Sequence, residues 1–255
     1  MKNDNTIFDV GAFNGLDGII LALLNPKITV HAFEANPYLI KTIKLNKKKI
    51  ETYKKKKISN YKINNFAVTN KNCTLIFNIA KNPTVSSLNN FSKDIDRTWP
   101  GWRQAHCTVI KRIKVKAVTL KKYCEENDIK KINYLHIDTQ GSDLKVLMGL
   151  KKKIEIVERG VLEAAVNKQT SLYQYNHTIS DTRKFLKRNK FKISKIDNID
   201  QNIKNEKNIY FYKRNIKRKK ILNIKYNLRY YNRIINGNLY LKDRIIDFFA
   251  DLLGF

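Results

Sequence analysis

The chain has 255 residues, 42% of them hydrophobic, and a formal charge of +29 from 51 basic and 22 acidic side chains. That length admits one substantial α/β domain with a small appendage, and no apolar run approaches the length of a membrane-spanning helix. The charge favours anionic partners such as nucleic acid, anionic lipid or charged glycan, although a Lys-, Asn- and Ile-rich codon bias accounts for much of the lysine.

Cys73, Cys107 and Cys124 are odd in number, widely separated and without metal-ligand spacing. They read as reduced thiols rather than a disulfide framework or a zinc site. The polar start Met1-Lys2-Asn3-Asp4-Asn5 has no signal-peptide architecture, so a cytoplasmic protein is expected.

In chain order, Ile7-Phe8-Asp9-Val10-Gly11-Ala12-Phe13-Asn14-Gly15 reads as a strand, a tight turn and the start of a helix running to Leu24. Ile28 to Phe33 is a second strand, closed by Glu34. This is the pattern of a nucleoside-binding β-α-β unit. Gly11 permits the turn, Gly15 lets the helix lie close to the sheet, and Glu34 sits where a carboxylate can accept from ribose hydroxyls. Phe13 occupies the place of the middle glycine of a dinucleotide motif, which brings pyrophosphate onto the backbone. A nucleoside ligand without phosphates, such as S-adenosylmethionine, does not need that gap.

Pro37 to about Ile50 is expected as a helix, Tyr61 to Val68 as a strand, and Cys73 to Phe77 as another. Ala80 to Gln104 has turn formers, two tryptophans and little periodicity, and reads as a long excursion over the sheet. Trp99 and Trp102 pin that loop or stack on a sugar ring, and pinning is the favoured reading. Thr108 to Val118 alternates branched and basic residues like a half-exposed strand. Thr119 caps a short helix over Leu120 to Glu126. Ile132 to Asp138 is a buried-type strand followed by a helix over Ser142 to Leu150, and Glu155 to Ala165 is a strand carrying Glu163 near its end. A helix from Thr178 to Asn189 and strands Phe191 to Ile196 and Asn208 to Tyr212 complete a domain of residues 1–212.

Residues 213–255 differ in character. Lys213 to Arg233 contains nine basic residues and no acid, and Leu241 to Leu253 places Leu241, Ile245, Phe248, Phe249 and Leu252 on one helical face. This basic, helical tail is suited to an anionic membrane surface or to packing on the domain or a second subunit.

Alternating strands and helices imply a mainly parallel sheet with helices on both faces, in which ligands sit at the carboxyl ends of the strands. Asp9, Glu34, Asp138 and Glu163 all fall at such ends. Asp138 has the alternative role of capping the helix that follows it.

Together these blocks resemble the FkbM-type S-adenosylmethionine-dependent methyltransferases over roughly Ile7 to Ile193. The resemblance rests on Phe8 to Gly15, on His31-Ala32-Phe33-Glu34-Ala35-Asn36-Pro37, on Asn65-Phe66-Ala67-Val68 and on Ser86-Ser87-Leu88. It also rests on Leu135-His136-Ile137-Asp138-Thr139-Gln140-Gly141-Ser142-Asp143, Val146 to Gly149, and Val161-Leu162-Glu163. It implies a class I, Rossmann-like methyltransferase fold, S-adenosylmethionine as cofactor and O-methylation of a sugar, glycan or secondary-metabolite hydroxyl. By the same resemblance Asp9, Gly11 and Gly15 hold the methionine end, Glu34 the ribose, and Asn65, Phe66 and Ala67 the adenine. Asp138 then lies near the sulfonium and the acceptor. Phe13, His136, Gln140 and Asp143 depart from the family's commoner Asn, Lys, Glu and Glu.

A sulfonium methyl is already activated, so the protein needs mainly to align the acceptor and take up a proton. Asp138 and Glu163 are candidates for that work, and His177 is the candidate neutral base, with a surface-loop histidine as its equal alternative. His136 and His31 read as packed core residues, and His106 is open either way. No ligand spacing points to a metal site, although Asp138 and Glu163 could hold a metal between them. Rival readings are an RNA or DNA methyltransferase, and a membrane- or nucleic-acid-binding module on a degenerate methyltransferase fold with peripheral membrane attachment.

Overall fold

A computed structural model of the chain describes residues 5–174, 176–200, 203–213, 231–232 and 234–236. The chain begins β1 (Thr6–Val10), α1 (Leu16–Leu24), β2 (Thr29–Phe33), α2 (Pro37–Lys54) and β3 (Tyr61–Asn64). It continues with β4 (Ala67–Val68), β5 (Cys73–Ala80), α3 (Ile95–Thr98), β6 (Val109–Val118), α4 (Leu120–Glu126) and β7 (Tyr134–Ile137). Then come α5 (Asp143–Met148), β8 (Arg159–Ala165), α6 (Ile179–Arg188), β9 (Phe191–Asp200) and β10 (Ile203–Lys213).

The local chemistry explains the helix starts. Asn36 accepts the Tyr38 N–H with Pro37 at the first helical position of α2, where a missing N–H costs nothing. Thr178 and Asp181 form a reciprocal capping box at α6. α1 is apolar nearly all round because both sheet and α2 cover it.

The main sheet has seven strands in the order β3-β2-β1-β7-β8-β10-β9. β3, β2, β1, β7 and β8 are parallel, and β10 runs antiparallel to β8 and β9. Alternation divides each strand between two cores. Phe8, Val10, Phe33, Leu135 and Ile137 face one side with Leu120, Leu144 and Leu186 of α4, α5 and α6. Ile7, Val30, Ala32 and Tyr134 face the other with α1 and with Ile43 and Ile50 of α2. Helices therefore cover both faces, as expected of a class I methyltransferase fold.

Two expectations need correction. The strand expected over Tyr61 to Val68 is split, because the Asn64 and Asn65 side chains donate to the Ala32 and Glu34 carbonyls and turn the chain out of the sheet. Its second half, β4, joins β6 and β5 in a separate three-stranded sheet. β9 and β10 run well beyond the expected strands because each completes the other's ladder.

Of the tail, Tyr231, Ile234 and Ile235 pack into the core beside α1 and α2, and Lys49 Nζ donates to the Ile235 carbonyl at 2.7 Å. The helix expected at Leu241 to Leu253 lies outside the described residues. No helix among the described residues is long and apolar enough to cross a membrane.

β7, β8 and β10 meet closely at Gly160, where a Cβ would stand 2.4 Å from the Leu135 carbonyl oxygen and 2.7 Å from the Phe211 ring. Gly160→Ala is expected to lower stability by about 1–3 kcal/mol through overpacking, measured by urea denaturation. An unchanged midpoint would show that the strands separate more easily than this packing implies.

Candidate active site

The order of the sheet reverses between β1 and β7, and a crevice opens there at the carboxyl ends of the strands. Gly11, at φ 88°, donates its N–H to the Phe33 carbonyl at 2.9 Å. A Cβ on it would lie 1.7 Å from the Asp138 carbonyl oxygen, so only glycine lets the β1–α1 turn run against the end of β7. Phe13 adopts φ 50°, a left-handed conformation costing an L-residue about 1–2 kcal/mol. That conformation points its N–H at Glu34.

Glu34 is held at both oxygens, by the Phe13 N–H and the Asn36 N–H, each at 2.7 Å. Burial pushes its carboxyl up to about 7 against the pull of those two bonds. It lines a cavity of about 320 Å³, within the range of small-molecule sites. Its apolar lining includes Phe33, Phe66, Ala67, Phe77 and Leu88, and its polar lining includes Asn14, Asp17 and His136.

Gly11, Phe66, Ala67, Asp138 and Glu163 line this cavity with Glu34, whereas Asp9, Gly15 and Asn65 do not. Gly15 packs α1 onto Ile43 and Tyr61. Asn65 acts from behind, donating to the Glu34 carbonyl at 2.9 Å. Asp9 is 1% exposed, and its Oδ1 meets His136 Nδ1 at 2.9 Å while Oδ2 has no partner. His136 therefore is not a plain core residue. It shares the parity of Asp9 across the β1–β7 register and reaches the cavity. Burial alone would lower its pKa, but the hydrogen bond and charge of Asp9, with Asp17 and Asp138, push it up to about 9. His31 is core as expected, its Nδ1 2.7 Å from the Tyr123 hydroxyl and its pKa lowered to about 4 by burial.

Acids form a further part of the lining, Asp138, Glu163 and Glu206 among them. Asp138 accepts from Gln140 Nε2 at 2.7 Å, and burial raises its pKa although His136 opposes this. Burial, then the charges of Asp138, Asp143 and Glu206, holds Glu163 well above the usual carboxylate range. Asp143 accepts the Glu163 N–H and the Thr139 hydroxyl, and burial with the Asp138 charge takes it up to about 8. Glu206 on β10 completes the group. It was missed because the expected strand began at Asn208, yet it has the same parity as Asn208 and Tyr210, the signal by which the strand could have been extended.

The structure does not bring His177 to this cavity. Its carbonyl is tied to the Ala165 N–H at 3.1 Å, and it lines a separate cavity with Lys168, Asn176 and Asp181. Burial and the Lys145 charge lower its pKa. Tyr173 lines that second cavity and points its hydroxyl at Gln140 Oε1 of the first at 2.9 Å.

The long loop is anchored to the turn after β7. Ser87 Oγ donates to the Gln140 carbonyl at 2.6 Å, and Asn89 Nδ2 to Ser142 Oγ at 3.0 Å. Trp102 donates to Asp96 and pins the loop, while Trp99 lines the cavity. Among the described residues no group of three or more His, Cys, Asp or Glu is placed to hold a metal ion.

Glu34, Asp143 and Glu206, raised to about 7, 8 and 7, hold protons that an unfolded chain releases near pH 4. With respect to these groups the fold is most stable below that pH, and stability is lost as pH rises through 7 to 8, where burying them in charged form is costly. The melting temperature of the donor-free protein is expected to fall between pH 6 and 8.5, with a shallower fall in Asp143→Asn. A rise over that interval would show that these carboxyls are ionised in the fold.

The family model of the FkbM methyltransferase domain matches residues 9–193. Among solved structures, an FkbM methyltransferase from Methylobacillus flagellatus KT is 14% identical, with TM-score 0.48 and coverage of 82% of this chain and 44% of that one. This chain thus spans less than half of that protein's length. Magnesium protoporphyrin IX methyltransferase from Synechocystis PCC 6803, solved with S-adenosylmethionine bound, is 11% identical, with TM-score 0.45 and coverage of 81% and 69%. M. capricolum TrmK, in complex with S-adenosylhomocysteine, is 11% identical, with TM-score 0.44 and coverage of 87% and 68%. No protein of curated function matches the sequence. With the family model spanning most of its length, this chain belongs to the FkbM methyltransferase family, whose cofactor is S-adenosylmethionine.

Proposed function

We propose that the protein transfers the methyl group of S-adenosylmethionine to a hydroxyl of a sugar, glycan or glycolipid precursor. The observation that carries this reading is the Glu34 carboxylate, held by two backbone N–H groups in a cavity that both apolar side chains and acids line. When bound, the cofactor supplies a methyl group already activated by its positive sulfur. Glu34 accepts the ribose hydroxyls, and Phe66 and Ala67 flank the adenine. Asp17 and the protonated His136 offer opposite charges to the ammonium and carboxylate of the amino-acid end. Asp9, behind His136, keeps that imidazole charged and oriented. Asp138 orients the acceptor hydroxyl and takes its proton, a task for which a raised pKa suits it.

Nucleic acid is the weaker reading. The molecule is strongly basic overall, but no lysine or arginine is among the described residues lining the cavity. A backbone phosphate would meet carboxyls there.

Calorimetric titration with S-adenosylmethionine is expected to show micromolar binding, lost in Glu34→Ala. Ribose hydroxyls donate to the ionised carboxylate, so below about pH 7 binding must expel a proton from Glu34. Affinity should then weaken by up to about tenfold per pH unit as pH falls. No binding by the folded wild-type protein at pH 8 would end the methyltransferase reading.

A further inference from the structure

Glu206 has no role in the mechanism above and lies beyond residue 193, where the family match ends. It is 7% exposed, lines the cavity, and its carboxylate accepts no hydrogen bond from any described residue. A buried carboxyl without a partner costs stability, and such a cost persists where a ligand supplies the missing donors.

Register places a second such group beside it. Glu163 on β8 pairs with Asn208, and Glu206 is two residues along β10 on the same face. The two are diagonal neighbours across an antiparallel pair, about 7–8 Å apart at the backbone, and the Glu163 carboxylate also accepts no bond from a described residue. Two long side chains at that spacing can hold two adjacent small polar groups between them.

We propose that Glu206 and Glu163 form the acceptor subsite, and that it takes a neutral polyhydroxyl group with adjacent hydroxyls. This deepens the methyltransferase reading and rests on it. The choice of class follows from what faces the pair. An anionic group would find no lysine or arginine among the described residues lining the cavity, and His136 is taken by the carboxylate of the methyl donor. A cation calls for acceptors alone. Burial raises both carboxyls, Glu163 well above the usual carboxylate range and Glu206, with the Asp138 charge, to about 7. The pair therefore both donates and accepts, as hydroxyl groups do.

The test uses the full chain with S-adenosylhomocysteine bound and, as probes, methyl hexopyranosides, hexose phosphates and amino-hexoses. Binding is followed by saturation-transfer NMR, and turnover with S-adenosylmethionine by kcat and KM for each probe. The wild-type protein is expected to bind and methylate neutral glycosides in preference to both charged classes. Glu206→Ala should weaken neutral-glycoside binding at least tenfold, with Glu206→Gln intermediate, and calorimetric affinity for the methyl donor should stay within twofold. Both variants should also melt at a higher temperature than wild type, which a purely structural carboxylate would not allow. Preference for the phosphates or amino sugars, no neutral glycoside bound, or unchanged acceptor binding in Glu206→Ala would overturn the proposal. Loss of donor binding by the wild type would instead sink the methyltransferase reading itself.

Discussion

The close approach of Gly11 to the Asp138 carbonyl is the constraint on which the site depends. β1 and β7 are neighbours in the sheet, yet the chain leaves them toward opposite sides, so their following turns must share one narrow edge. A side chain at Gly11 would fill that edge. With it absent, the β1–α1 turn lies flat, Phe13 is forced into a left-handed conformation, and its N–H meets Glu34. Glycine here positions a carboxylate two strands away from the contact it relieves.

Electrostatically the molecule is divided. Its formal charge is +29, but its cavity gathers Asp17, Glu34, Asp138, Glu163 and Glu206 around the His136 imidazole. Desolvation is the first cause of each raised carboxyl in that group. Mutual repulsion adds to it because the groups share one low-dielectric space. His136 escapes the usual lowering of a buried histidine chiefly because Asp9 stands beside it, with the charges of Asp17 and Asp138 adding to the effect. The basic exterior and the acidic interior thus point to different partners, and the chemistry answers to the interior.

Much of this was legible in the chain. The alternation of strands and helices, the Asp-x-Gly turn, Glu34 at the end of β2 and the other acid-ended strands are local patterns, and local patterns survive folding. The split of Tyr61 to Val68 was not legible, because two asparagine side chains reaching to another strand's carbonyls decide it. His136 looked like core because a strand periodicity cannot say which neighbour an alternating face will meet.

The sequence by itself determined the fold class, the glycine turn between β1 and α1 and the set of acids available, since period, turn chemistry and residue type are properties of short segments. Tertiary structure alone decided which acids share the cavity. It drew Asp9 back onto His136, put His177 in a different cavity, and brought Glu206 in beside Glu163 through the register of β10 on β8. Strand pairing between distant segments sets a side chain's direction and neighbours, and a one-residue shift would have turned Glu206 to the opposite face.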